Sequence, residues 1–257
     1  MIGTKRFRWY PCALALGILL AAGAARADFI LAATEHLEVT TSHSTGILYD
    51  SSTAGIRQGG SVQTLYVNDG STVDMSGGLV SILVAYDSSA VDVSGGSVSN
   101  GVDASSSASV SISGGSVHTV YAYDTSTVKL SGGWLGGLDL HGSSAADVSG
   151  GSMGEFYARD NSTIDISGGS VSSGIYATNT GKITFHGYDF RTTEGLILEG
   201  DRVLGTGILT GKWFGGSSWI VHVYANHAGA TILAVPEPAT LALLALGGLA
   251  MLRRRRR

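Results

Sequence analysis

The tripeptide Ser-Gly-Gly, or a close variant, returns through the chain with its first glycine at Gly59, Gly77, Gly95, Gly114, Gly132, Gly150 and Gly168. The intervals are 18, 18, 19, 18, 18 and 18 residues, and a weaker copy, Phe185-His186-Gly187, follows after 19. A unit this short cannot enclose a core of its own. Register kept over seven copies predicts a solenoid, in which each unit buries its apolar residues only against the units stacked on it.

Within each unit the apolar residues alternate with period two. Val73-Asp74-Met75, Val91-Asp92-Val93, Val110-Ser111-Ile112, Val128-Lys129-Leu130, Ala146-Asp147-Val148 and Ile164-Asp165-Ile166 each turn two side chains inward and one to solvent. A second apolar column follows the glycines: Val62, Val80, Val98, Val117, Leu135, Met153 and Val171. Paired glycines suit a tight corner between the two strands. Proline is absent from Asp28 to Val235, as ladders that need every N–H require. The pattern predicts an all-β, parallel β-solenoid of about 18-residue rungs over 28–188, with Asp28 to Thr41 capping the first rung. Eighteen residues suffice for three short sides, and the hand of the coil is left open. The two extra residues, in the units ending at Ile112 and Phe185, should bulge outward and leave the ladder intact.

A different pattern covers 189–234. Alternating runs (Leu196-Ile197-Leu198, Ile208-Leu209-Thr210, Ile220-Val221-His222-Val223-Tyr224, Thr231-Ile232-Leu233) are separated by glycine and aspartate, and predict a cap of three or four strands. An uncapped last rung would expose a row of unpaired backbone groups.

The two ends read as targeting segments. Lys5, Arg6 and Arg8 precede the apolar stretch Cys12 to Ala22, and Ala25-Arg26-Ala27 has the small-x-small form of a cleavage site, so 1–27 is expected to be a signal peptide used by the Sec machinery. Cys12 is the only cysteine, which leaves the body without a disulfide or a thiol nucleophile. Between 28 and 234 stand seven basic and nineteen acidic residues, a net charge of −12 against −4 for the whole chain. Such a body argues against nucleic acid and anionic lipid surfaces as partners.

At the other end Pro236-Glu237-Pro238 precedes an apolar run, Leu241 to Leu252, and then Arg253, Arg254, Arg255, Arg256 and Arg257. Arginines are costly to pull through a bilayer and stay cytoplasmic. The 14 residues from Ala239 to Leu252 fall short of the roughly 20 of a full span, which favours a processing signal over a lasting anchor. The order of tripeptide, hydrophobic helix and basic tail over 235–257 resembles the PEP-CTERM sorting signal of exosortase substrates. That resemblance implies export, retention in the inner membrane through the C-terminal segment, cleavage near Pro236 to Pro238, and delivery to the cell surface or an extracellular matrix, with extracellular polysaccharide as a possible neighbour.

Two acidic columns are candidates for chemistry. Asp74, Asp92, Asp147 and Asp165 share the outward strand position, interrupted by Ser111 and Lys129, and Asp69, Asp87, Asp124 and Asp160 share a turn position. Carboxylates stacked at rung spacing repel, and Ca²⁺ with oxygen ligands would relieve that. The plainer reading makes the turn aspartates Asx-turn formers and the strand aspartates solubilising residues, with no cofactor. An aromatic set is the third candidate: Tyr66, Tyr121 and Tyr157 at one position, Tyr86 and Tyr123 two residues on, and Trp134 near a corner. These suit either sugar stacking or packing between rungs, and by fixed-offset counting Val84, Val102, Asp139 and Ile175 interrupt the column. No catalytic residues are expected. The seven histidines fall at unrelated repeat positions, and neither H-E-x-x-H nor G-x-S-x-G occurs. Pectate-lyase-like coils have longer, irregular units, and the flat Thr-x-Thr ladders of ice binding are missing, because Ala90 and Ala145 alternate with Thr72, Thr127 and Thr163. The expected protein is therefore a non-enzymatic exported surface protein with a structural or adhesive coil, with a glycan- or calcium-binding solenoid as the alternative.

Overall fold

The computed structural model describes residues 28–193, 195–225 and 229–236. Among these the secondary structure is entirely β, wound into a parallel solenoid of about nine turns with rungs of about 18 residues. One regular rung shows how the sequence does this. Thr127–Leu130 forms the first side, Ser131-Gly132-Gly133 a corner, and Trp134–Leu140 the rest. The ladder skips Gly136, so this second strand bends there into a two-residue side and a four-residue side. Six side chains point into the coil: Ser126, Val128, Leu130, Leu135, Leu138 and Leu140, all essentially inaccessible to solvent. The three-residue step from Leu135 to Leu138 is the bend read off the burial pattern. Each fully buried aliphatic side chain contributes about 1.5–3 kcal/mol, and that burial is completed only when the neighbouring rungs are stacked in place.

The glycine corner is obligatory for two reasons. Gly133 has φ +76°, and a β-carbon on Gly132 would collide with the carbonyl of Ser113 in the rung beneath. Successive corners are thus stacked too closely for any side chain.

Both extra residues bulge without breaking the ladder, and both do so at the same corner. Val80 pairs with Val98, but Leu83 pairs with Val102, one residue later than the 18-residue step. Likewise Met153 pairs with Val171 while Phe156 pairs with Ile175. The surplus sits at Ser99–Gly101 and at Ser172–Gly174, just where the second side turns into the third.

The N-terminal segment differs from expectation. His36–Val39 pairs in parallel with Thr53–Ile56, and Phe29–Leu31 with Gly46, Ile47 and Leu48. Asp28 to Thr41 is therefore a rung of the coil rather than a lid on it. Its corner, Thr40-Thr41, lacks the glycine pair, which is why the repeat is not visible there.

The C-terminal end combines two devices. Arg202–Lys212 runs antiparallel to Ser218–Ala225 over its whole later half, to Leu196–Glu199, and to Tyr188, Arg191 and Thr192 at the end of Lys182–Thr192. The chain then rejoins the coil: Ser218–Ala225 stacks in parallel on Gly174–Ala177, and Thr231–Pro236 on the strand beginning at Lys182. In the last two rungs, beside the buried Val223, Ile232 and Ala234, Phe185, Trp213 and Trp219 stack with ring centroids 4.8 to 6.4 Å apart, and Phe190 meets Trp219 edge-on at 5.9 Å. This aromatic plug closes the core.

Candidate sorting signal and surface groove

The turn column is explained by backbone conformation. Asp50, Asp69, Asp87, Ser106, Asp124, Asp160 and Asn179 all have φ between +54° and +60°, and Gly142 fills the same place with φ +66°. The left-handed region is open to few residues besides Gly, Asn and Asp. Several of the side chains then find partners in the neighbouring rung. The Asp124 carboxylate accepts the N–H of Ser106 at 3.0 Å, and that of Asp160 the N–H of Gly142 at 3.2 Å, each from the rung beneath. Asp69 accepts more weakly from the N–H of Asp50 at 3.4 Å. The Gly142 N–H and then the Asn179 amide, which donates at 2.9 Å, hold the Asp160 carboxyl below the usual carboxylate range. Among the described residues, no three His, Cys, Asp or Glu side chains converge in a way that could hold a metal.

The outward strand column is partly neutralised. Gly55 separates Glu38 from Asp74 in register, and Arg57 lies across the gap with its guanidinium 2.7 Å from Glu38 and 2.9 Å from Asp74. A side chain at Gly55 would strike both Glu38 and Arg57. Higher up, His186 lies 3.2 Å from Asp165.

The aromatic face is richer than fixed-offset counting gives. Because each extra residue comes at the corner before the third side, the column reads Tyr66, Val84, Asp103, Tyr121, Asp139, Tyr157, Tyr176 and Tyr224. Asp103 and Tyr176 take the places expected for Val102 and Ile175, which point into the core. Tyr157, Tyr176 and Tyr224 form a continuous stack, with centroids 4.6 Å apart at both steps and planes within 7°. Burial, followed by the Glu155 carboxylate that accepts its hydroxyl at 3.0 Å, pushes the Tyr157 phenol up to about 12. Arg159 lies over the Tyr157 ring at 4.8 Å and grips Asp139 through two hydrogen bonds of 2.7 and 3.2 Å. His141 completes the set, 3.2 Å from Asp139 and stacked on Tyr123. Tyr66 and Tyr86 lie exposed further down the same side.

Beside this column the bend between second and third sides sinks into a groove of about 470 Å³. Its floor is glycine: Gly136, Gly137 and Gly154. Trp134 and Tyr121 wall it, with Asp139, Glu155 and the edge of Tyr157 on the third-side flank. The Trp134 indole leans over Gly136, close enough that a β-carbon there would touch it at 2.8 Å. Ser172 and Ser173, part of the second bulge, line one end.

The sorting tail starts directly on this folded body. Pro236 is the last residue of Thr231–Pro236 and lies in register with Gly187, so no loop intervenes between the final rung and the tripeptide. Glu237, Pro238, the apolar run and Arg253 to Arg257 lie outside the described residues, as do Ala25, Ala27 and the rest of the expected signal peptide.

A parallel coil ending without a linker in such a tail defines an exported repeat protein with a C-terminal sorting signal. Residues 234–257 match the family model described as the PEP-CTERM protein-sorting motif. No curated protein and no solved structure matches the chain. The motif marks the protein as one exported, held at the membrane for processing, and recognised by an exosortase.

Proposed function

We propose that this is a non-enzymatic surface protein whose coil serves as a rigid, adhesive spacer at the cell surface or in an extracellular matrix once an exosortase has removed the tail. The observation that carries this reading is continuity. Parallel pairing runs from Phe29–Leu31 to Lys182–Thr192 and resumes in Thr231–Pro236, which stacks on that strand and ends inside the sorting motif, so whatever the tail delivers is the coil itself. The side chains with most chemical potential support a structural role: Asp139, Arg159 and His141 are engaged with one another, and Asp124 and Asp160 with backbone N–H groups. The reading needs no cofactor. Its partners are the Sec machinery, the exosortase and extracellular polysaccharide.

Replacing Pro236, Glu237 and Pro238 by alanine tests the sorting step. Cell fractionation and mass measurement should show an exported, uncleaved chain accumulating in the inner membrane, while the parent chain is shortened and reaches the surface. Equal processing and equal distribution of the two chains would overturn the reading.

A further inference from the structure

We propose that the corner groove between Tyr121, Trp134 and Glu155 binds a neutral polysaccharide chain. This deepens the adhesive reading of the coil and rests on it, but the site is defined by its own geometry.

Three observations point to a sugar. The groove crosses the rungs at 116–122, 134–140 and 152–158 and reaches Ser172 and Ser173 on a fourth. At about 4.8 Å per rung it is roughly 14 Å long, which suits a short stretch of a chain rather than a single ring. Its volume lies within the usual range for small-ligand sites. Its walls offer flat apolar surface beside hydrogen-bonding groups: Trp134 is 44% exposed and Tyr121 37%, each beside a glycine floor that brings a ligand down to the backbone. A pyranose, with one face of C–H bonds and a rim of hydroxyls, presents the matching chemistry.

The charges decide between ligand classes. Asp139 is committed to Arg159 and His141, and one oxygen of Glu155 accepts the Tyr157 hydroxyl, which leaves the other for a ligand hydroxyl. A polyanionic glycan would meet these two carboxylates within a body of net charge −12. The face of Tyr157 is closed to a ligand, with Arg159 on one side and Tyr176 on the other, which leaves the exposed rings of Trp134 and Tyr121. A neutral, hydroxyl-rich chain fits what remains.

The groove also has a built length. The two extra residues lie at its own corner, in the rung before 116–122 and the rung after 152–158, while the rungs between keep the 18-residue step and carry glycine at Gly136, Gly137 and Gly154.

The test uses the full chain, purified in mild detergent and run through native gels containing soluble neutral polymers (hydroxyethyl cellulose, laminarin, dextran) or alginate as the anionic polymer. Retardation by at least one neutral polymer is expected, with alginate having no effect. Two variants locate the site. Trp134→Ala removes an exposed wall and should weaken retardation about tenfold or more. Gly137→Leu fills the groove, and the nearest atoms to its β-carbon would be those of the Thr119 side chain at an ordinary 3.5 Å, so binding should fall while the melting curve stays unchanged. Tyr66→Ala, outside the groove, should bind as the parent does. No retardation by any neutral polymer, retardation by alginate alone, or parent-like retardation of both groove variants would overturn the proposal. A chain that reaches the surface normally yet fails this test would overturn the glycan site alone, and one that binds but is not displayed would overturn the surface role alone.

Discussion

Most turns of the coil rest on two residues with opposite demands, one bent left-handed at the surface and one burying a hydroxyl. The first was legible in the sequence as the Asp69, Asp87, Asp124, Asp160 column, although spacing alone could not separate turn formers from cation ligands. The φ values of all four, and the N–H bonds that Asp124 and Asp160 accept from the rung beneath, favour turn forming. Accordingly, melting temperatures in millimolar Ca²⁺ and in chelator should coincide at matched ionic strength. A Ca²⁺-dependent rise that vanishes when all four aspartates become asparagine would assign the metal role instead. The second column was open to the eye but carried no motif: Ser52, Ser71, Ser89, Ser126, Ser144 and Ser162, wholly buried just before the first side. Ser144 Oγ donates to the carbonyl of His141 at 2.8 Å, and that of Ala122 lies at 3.2 Å. Ser89 Oγ has no hydrogen-bond partner among the described residues, and Ala108 occupies the equivalent place without a hydroxyl. Chemical denaturation should therefore show Ser144→Ala costing about 1 kcal/mol and Ser89→Ala neutral or stabilising. Equal costs would mean that the hydroxyl bonds are not what holds the turn.

At the scale of elements, strands and corners were readable because a period of two and a glycine pair are local signals. The bulges at Ser99–Gly101 and Ser172–Gly174 were visible as 19-residue intervals, yet not their positions within the unit, and they displaced the tyrosine column by one residue at Asp103 and Tyr176 respectively. The first rung was hidden because its corner is Thr40-Thr41. The cap shows the same limit at longer range. Its alternating runs announced strands, but Phe185, Phe190, Trp213 and Trp219 meet only because the chain turns back antiparallel before rejoining the coil. Trp219 lies between three other rings at the open end of the core, so Trp219→Ala should destabilise by about 3–5 kcal/mol in denaturant titration, and Trp219→Phe by clearly less. A loss under 1 kcal/mol would mean that the plug is peripheral to the fold.

Seen as a whole, the molecule is a one-dimensional stack whose stability is a sum of contacts between neighbouring rungs, exported with a sorting tail that begins where the stack ends. The architecture and the tail were both legible because repetition and charge order survive in one dimension. The groove was not, because it joins Tyr121, Trp134, Gly137 and Glu155 across three rungs at one corner. Deleting one rung against half a rung tests the central claim most directly. Removing Thr72 to Ser89 takes out 18 residues and joins Ser71 to Ala90, so Thr53–Ile56 inherits Ala90–Val93 as its neighbour with every inward position kept. Removing only Thr72 to Val80 takes out nine and sets glycine corners against strands. Circular dichroism and melting should show the 18-residue deletion folded, strand-dominated and cooperative, about 4.8 Å shorter, and the nine-residue deletion collapsed. Two equally folded deletion proteins, or two equally unfolded ones, would contradict an 18-residue rung as the unit of this fold.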